Sequence, residues 1–285
     1  MYYSLVDELF KLAILEDIGH GDITSEIVVP KDCVAFAEII CKENLVLAGI
    51  PFIKRFFTIL SSYFNIQNGI LSFDEYYSDG SFVEKGSIIA VLKGNARILL
   101  AGERIALNLL QRLSGIATFT KEFVERIKDL RVKILDTRKT SPGLRFMEKY
   151  AVRVGGGYNH RFALYDAVLI KDNHIKIAGS VKEAVLKAKS SYGYHKIEVE
   201  VKSIEELEEA IMAGADIVML DNMDIEEMKK AVKIAKGRVL LEASGGVNLE
   251  NVRQIALTGV DFISIGALTH SAKAVDISMK IKEVL

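Results

Sequence analysis

Cysteine is almost absent from this chain of 285 residues. Only Cys33 and Cys41 occur, in one β-like run, which excludes a disulfide scaffold and leaves a zinc site short of ligands. Both thiols read as buried structural groups, in keeping with a reducing cytoplasm. A surplus of one charge sign is also missing: 37 Lys and Arg stand against 38 Asp and Glu, a formal net charge of −1. General polyanion binders are more basic, so no nucleic-acid partner is expected, and any anion site must come from local clustering of cations. A long apolar run is missing too. The longest uncharged stretch, Phe56 to Phe73, is interrupted by Ser61, Ser62, Asn65 and Gly69, which would be costly in hydrocarbon, so no membrane partner is expected. Met1 to Asp17 carries acids and no small-residue cleavage site, unlike a signal peptide.

What remains is an ordinary globular composition, 50% apolar and 26% charged, which excludes disorder as the dominant state. At roughly 100–200 residues per domain the length allows one large domain or two ordinary ones. Residues 4–16 read as an amphipathic helix, with Leu5, Leu9, Leu12 and Ala13 on one stripe. β-like runs follow at Val34–Cys41, Leu45–Leu47 and Ser87–Leu92, with a helical pattern over Pro51–Leu60 between them. Val83 to Val91 has the strand–turn–strand pattern of lipoyl-type sandwiches, but no lysine on an acceptor hairpin accompanies it. Residues 97–128 are helical in pattern, with a break expected near Gly115.

From residue 132 short apolar strands alternate with helical segments. Strands are expected at Val132–Leu135, Ala167–Ile170, Ile197–Val201, Ile217–Leu220, Val239–Glu242 and Phe262–Ile265. Helices are expected at Val181–Lys189, Ile204–Met212, Ile225–Ala235 and Leu249–Leu257. This is βα repetition, which implies a parallel sheet with right-handed crossovers. Six strands are fewer than the eight of a complete TIM barrel. The chain is therefore α/β, with a boundary near residue 110 that separates residues 1–110 from a barrel-like 111–270. Residues 271–285 are expected as a helix packing back on the first domain.

Reactive groups in parallel α/β proteins collect where strands end. Here the successive strand ends carry Asp136-Thr137-Arg138-Lys139-Thr140, Lys171-Asp172-Asn173-His174, Glu198 with Glu200, Asp221-Asn222, Glu242-Ala243-Ser244-Gly245-Gly246, and Gly266-Ala267-Leu268-Thr269. Arg138, Lys139, Lys171 and the segment Gly155–Arg161 would share one mouth. Like charges gathered there need an anion to compensate them, and arginine's fork matches carboxylate or phosphate. The glycine turns at Gly245-Gly246 and Gly266, each read as preceding a helix, look like a phosphate grip. Glu200 and Asp221 could bind sugar hydroxyls, help hold Mg²⁺ or stabilise developing positive charge. Glu198 and Glu200 alternate along one strand and both face the barrel interior, so pairing with a buried Arg or Lys is expected for at least one of them. His160 and His174 are candidates for substrate hydrogen bonding or plain packing, and His20 and His195 look like surface residues.

The runs Asp136–Arg145, Gly155–Arg161 and Leu169–Ile175 resemble those of the quinolinate phosphoribosyltransferases. Glu16–Thr24, Gly102-Glu103-Arg104, Ser114–Thr118, Met219–Met223 and Glu242–Gly246 extend the resemblance along essentially the whole chain. The resemblance implies an N-terminal α/β sandwich domain joined to an incomplete parallel α/β barrel, the type II phosphoribosyltransferase fold. It implies a glycosyltransferase that moves phosphoribosyl from phosphoribosyl pyrophosphate to quinolinate with decarboxylation, giving nicotinate mononucleotide in de novo NAD biosynthesis. Mg²⁺ is the implied cofactor, held mainly through the pyrophosphate, with Glu200 and Asp221 as further ligands. A homodimer or hexamer is implied, with Arg104 entering the neighbouring subunit's site. Arg138, His160 and Arg161 match positions that hold the quinolinate carboxylates, and Thr137 is a further substrate-binding position. Lys139, Lys171, Glu200 and Asp221 match catalytic and binding positions around phosphoribosyl pyrophosphate. Ser244, Gly245, Gly246, Gly266 and Ala267 match the phosphate loops.

Three other readings compete. A Schiff-base aldolase would use Lys139 or Lys171 as a desolvated nucleophile, but it leaves the other motifs unexplained. A paralogue from molybdenum-uptake operons resembles the same family, and the complete carboxylate-binding set argues against it. A lipoyl-like carrier is the non-enzymatic alternative.

Overall fold

The computed structural model describes residues 2–66, 69–191 and 195–285; Gln67 and Asn68 of the uncharged stretch lie outside the described residues. In chain order the elements begin with α1 (Tyr2–Asp17), α2 (Ile23–Val28), β1 (Val34–Cys41), β2 (Leu45–Val46) and α3 (Ile50–Tyr63). There follow β3 (Ile70–Glu75), β4 (Phe82–Val83), β5 (Ile88–Asn95), α4 (Ala96–Arg126), β6 (Lys133–Leu135) and α5 (Arg145–Val154). Next come β7 (Val168–Ile170), α6 (Asp172–Ala178), α7 (Val181–Ser191), β8 (Ile197–Val201), α8 (Ile204–Ala213) and β9 (Ile217–Asp221). The chain closes with α9 (Ile225–Ala235), β10 (Leu240–Ser244), α10 (Val252–Ala256), β11 (Phe262–Ser264), α11 (Ala267–His270) and β12 (Ile277–Val284).

These elements form two compact units. The first comprises Met1–Phe119, Ser141–Gly155 and Ala272–Leu285, the second Thr120–Thr140 and Gly156–Ser271. The boundary expected near residue 110 falls inside α4, and the α5 segment belongs to the first unit.

The first unit holds an antiparallel sheet of order β12-β1-β5-β3. Along β1, Ala35, Ala37, Ile39 and Cys41 are buried while the residues between them are half-exposed, the alternation of a sheet covered on one face. Phe52, Phe56, Phe57 and Leu60 form the buried stripe of α3, and Phe10 of α1 meets Phe56 edge-on at 5.5 Å. Asp79 accepts the first amide N–H groups of α3 from Gly49 and Ile50, at 2.8 and 3.1 Å, and the Tyr150 hydroxyl at 2.7 Å. Cys41 is buried, Cys33 is only half-buried, and both are free.

Two expectations are corrected in this unit. Residues 271–285 do not form a helix. Their last part is β12, which pairs antiparallel with β1 from Cys41↔Ile277 to Ala35↔Val284, burying Ile277 and Met279 and leaving Lys280, Lys282 and Glu283 exposed. Lys, Met and Glu favour helix locally, but pairing with an open sheet edge overrides that preference. The strand–turn–strand expected over 83–91 is present as β4, a turn and β5, with β4 paired to β2 and β5 to β1 and β3. α4 runs unbroken through Gly115. A Cβ on Gly115 would overlap the Lys273 carbonyl, so glycine is there for close backbone approach.

In the second unit a parallel sheet of six strands has the order β6-β11-β10-β9-β8-β7. β7 to β11 follow one another in space as in sequence, and β6 pairs with β11 rather than β7. Leu135 of β6 also makes a parallel bridge to Tyr158, so the chain passes along the outer side of β6 before reaching β7. The curled sheet does not close between that segment and β7, an incomplete barrel. β8, β9 and β10 are buried along most of their length, as strands covered on both faces should be.

Gly115→Ala is expected to destabilise the protein by about 1–3 kcal/mol, the usual cost of overpacking, read as a lower denaturant midpoint with unchanged slope. An unchanged midpoint would count against the close approach to Lys273.

Candidate active site

In a parallel sheet every strand ends at the same edge, so the loops after β6 to β11 meet. They enclose a cavity of about 760 Å³ in the second unit. Its wall includes Thr137, Arg138, Lys139, His160, Arg161, Lys171, Glu200, Asp221, Ser244, Gly245, Gly246, Gly266 and Ala267. Arg104 does not line it. That residue sits on α4 in the first unit, its side chain well exposed and its guanidinium 4.0 Å from Glu103.

The cations are held individually. Lys171 Nζ meets Glu200 Oε2 at 2.9 Å. Arg161 Nη1 donates to the Ala167 carbonyl at 2.9 Å. Lys139 is fixed through its backbone: its N–H donates to Thr137 Oγ1 at 3.1 Å and its carbonyl accepts from Thr269 Oγ1 at 2.8 Å. Burial, and then the neighbouring charge of Arg138, hold the Arg161 guanidinium below its usual basicity, with Glu198 and Asp166 acting in the opposite sense. Two guanidinium groups so close favour a bound anion.

The acids divide into two layers. Glu200 and Asp221 end neighbouring strands and face the cavity; Asp221 Oδ1 accepts from the Asn222 amide at 2.9 Å. Deeper in the barrel lie Asp136, Glu198 and Glu242, all buried. Asp136 Oδ1 accepts the His160 backbone N–H at 2.9 Å, and its other oxygen accepts from the Asn159 side chain. His160 Nε2 lies 3.0 Å from Glu198 and 3.7 Å from Glu242. Glu198 therefore pairs with a histidine, and the basic partner expected for at least one acid of this strand is met by Lys171 on Glu200. Burial first, and then the Glu198 charge, push the Glu242 carboxyl up to about 7, against smaller opposing effects of His160, Ser264 and Lys171.

The glycine turns differ from expectation in one respect. α10 starts only at Val252, and α11 is four residues long. These turns therefore offer backbone N–H groups rather than the dipole of a long helix. Gly245 and Gly246 adopt φ of 98° and 61°. A Cβ on Gly245 would strike the Asn222 side chain, and Asn222 itself is left-handed at φ 55° with its N–H on the Ser244 carbonyl. Asn222 is thus a site residue that the sequence marked only as one polar residue at a strand end. His174 is exposed and lies outside this cavity; its Nδ1 accepts the Lys171 backbone N–H at 2.9 Å, a cap on α6. His270, not singled out in the sequence, lines the wall beside Gly266.

A polyanion pocket bearing two acids, at the strand ends of an incomplete parallel barrel, defines a class of enzymes that bind phosphorylated substrates. Comparison with known proteins makes the class specific. The family described as quinolinate phosphoribosyl transferase matches over both its parts, the N-terminal domain at residues 22–114 and the C-terminal domain at residues 116–280. The chain belongs to this family. It is 47% identical over 282 residues to a Bacillus subtilis protein named a probable nicotinate-nucleotide pyrophosphorylase (carboxylating), covering 99% of this chain and 95% of that one. It is 41% identical over 294 residues to a mitochondrial quinolinate phosphoribosyltransferase (decarboxylating) of Nicotiana tabacum, covering 96% and 81%. The crystal structure of NadC from Streptococcus pyogenes superposes with a TM-score of 0.91 at 41% identity, covering 98% of this chain and 96% of that one. The fold is the type II phosphoribosyltransferase fold.

Glu242 supports a stability measurement. Its carboxyl ordinarily titrates at 4.5 and in the folded protein at about 7. Its contribution is therefore fully present below pH 4.5 and is lost as pH rises through about 7. The stability of wild type relative to Glu242→Gln should fall over that window. A pH-independent difference would overturn the assignment.

Proposed function

We propose that this chain transfers the phosphoribosyl group of phosphoribosyl pyrophosphate to quinolinate, releasing pyrophosphate and CO₂ and forming nicotinate mononucleotide. The observation that carries the reading is the single cavity uniting Arg138, Lys139, Arg161 and Lys171 with Glu200, Asp221 and two glycine turns, in a chain of this family. Quinolinate is a dianion and phosphoribosyl pyrophosphate carries several more charges, so a site for both needs such a cluster. Arg138 and Arg161, with His160 and Thr137 beside them, take the pyridine carboxylates. The amides of Ser244, Gly245, Gly246, Gly266 and Ala267 take phosphate oxygens.

Breaking the bond from the anomeric carbon to pyrophosphate leaves positive charge on the ribose. Glu200 and Asp221 stand where carboxylates would stabilise it. The pyridine nitrogen bonds to that carbon, and the ring becomes cationic. The 2-carboxylate then leaves as CO₂, its bonding electrons remaining on the ring carbon, which takes up a proton from water. Lys139 or Lys171 serves that carboxylate as an electrostatic partner rather than a covalent one. The residues present fit Mg²⁺: two hard carboxylates at neighbouring strand ends can complete a coordination shell supplied mostly by a pyrophosphate. When bound, the ion would neutralise charge on the departing pyrophosphate.

The working assembly in this reading is a homodimer or a hexamer with Arg104 of one subunit completing its neighbour's site, and the protein acts in the cytoplasm. No helix among the described residues is long and apolar enough to cross a membrane.

Purified protein with phosphoribosyl pyrophosphate and Mg²⁺ should form nicotinate mononucleotide from quinolinate and prefer it over nicotinate by at least ~100-fold in kcat/KM, because one carboxylate too few leaves cations unpaired. Comparable rates with both acids, or product from neither, would overturn the reading. Arg104→Ala should abolish turnover without loss of folding. Mixing it with Lys139→Ala chains should restore part of the activity through hybrid sites. A folded but inactive mixture would refute the shared site.

A further inference from the structure

The His160 ring is gripped on both sides. Its Nδ1 accepts the backbone N–H of Arg161 at 2.7 Å, so that nitrogen carries a lone pair. In the neutral ring the proton then sits on Nε2, which faces Glu198 Oε2 at 3.0 Å and Glu242 Oε2 at 3.7 Å. The ligating atoms of all three side chains lie within 4.8 Å of one another, but a protonated Nε2 is not a metal ligand, so the grouping reads as a hydrogen-bonded clamp. Glu198 and Glu242 reach it from β8 and β10, and the remaining oxygen of each, Oε1, is buried without a hydrogen-bond partner. Buried carboxyl groups are costly, and here they lie directly beneath the substrate cavity.

We propose that Glu198 and Glu242 are positioning residues for the quinolinate half of the site: their carboxyl groups lock His160 as its Nε2–H tautomer, and the locked ring fixes the backbone from which Arg161 reaches the substrate. The inference rests on the quinolinate reading above. Neither acid lines the cavity, so each acts through His160. Asp136 holds the same short segment from its other side through the His160 N–H. Burial keeps Glu242 protonated into the neutral range, and the charge of Glu198 acts on Arg161 against the effect of burial. Without Glu198 the Nε2–H would be a buried donor with a weakened partner, and the ring would lose its hold on that side.

Nitrogen-15 NMR of histidine-labelled wild-type protein tests the lock directly. His160, assigned by comparison with a His160→Asn sample, should show the Nε2–H tautomer from about pH 6 to pH 8. An Nδ1–H tautomer, or free titration near the ordinary histidine value of about 6.5, would overturn the proposal. Kinetics supply the second arm. Glu198→Gln and Glu242→Ala should each raise the KM for quinolinate by about tenfold to a hundredfold, as expected when a buried donor loses its partner, and leave the KM for phosphoribosyl pyrophosphate within about twofold. Glu242→Gln should recover most of what Glu242→Ala loses. Equal changes in both KM values would mean a general structural role and refute positioning. The NMR arm uses wild-type chain and survives variants that fail to fold. A protein without turnover on quinolinate refutes the functional reading, whereas an active protein whose His160 carries its proton on Nδ1 refutes the lock alone.

Discussion

Arg138, Lys139, Arg161 and Lys171 face one cavity, and like charges drawn together away from bulk water repel. The surroundings of that cavity follow from the need to hold them there. Lys171 is tied to Glu200, Arg161 to the Ala167 carbonyl, and Lys139 through its backbone to Thr137 and Thr269. These ties orient the groups without neutralising the cluster. Four cations stand on the wall against Glu200 and Asp221, a surplus that suits the multiply anionic substrates proposed above. The depressed basicity of Arg161 reflects the same tension.

Beneath the cations lies a layer of buried acids. Asp136 secures the backbone of the 159–160 segment, and Glu198 with Glu242 secures the His160 ring. Two carboxylates that close could not both be charged cheaply in the barrel interior, and Glu242 resolves the conflict by keeping its proton. The floor of the site is thereby less negative than a residue count suggests, and the arginines above it keep their pull on an anion. The phosphate side has its own scaffold: left-handed Asn222 packs where Gly245 has no side chain, so strand end and glycine turn fit only as a pair.

Much of the second unit was legible in the sequence because its strands are covered on both faces. β8, β9 and β10 are short continuous apolar runs with helical stretches between them, a pattern that leaves little choice of topology. The site was legible for a related reason: polar residues that interrupt such runs at their ends have nowhere to go but the common rim. Less legible were features set by distant partners. Lys280, Lys282 and Glu283 carry a helical preference, and only the free edge of β1 turns the segment into β12. Gly115 reads as a helix breaker until Lys273 is seen against it. Which of Glu198 and Glu200 takes the basic partner is decided only when His160, 38 positions before Glu198, closes on that acid and Lys171 on the other.

By itself the sequence determined the parallel βα repeat, the cations and acids at its strand ends, and the family resemblance, because hydrophobic period and strand-end chemistry are written in neighbouring residues. The tertiary structure alone decided the order β6-β11-β10-β9-β8-β7, the strand at the C-terminus, the pairing of His160 with Glu198 and the upward shift of the Glu242 carboxyl. Each of these depends on which groups from remote parts of the chain share a dry interior. There hydrogen bonds and charge compensation outweigh local preference.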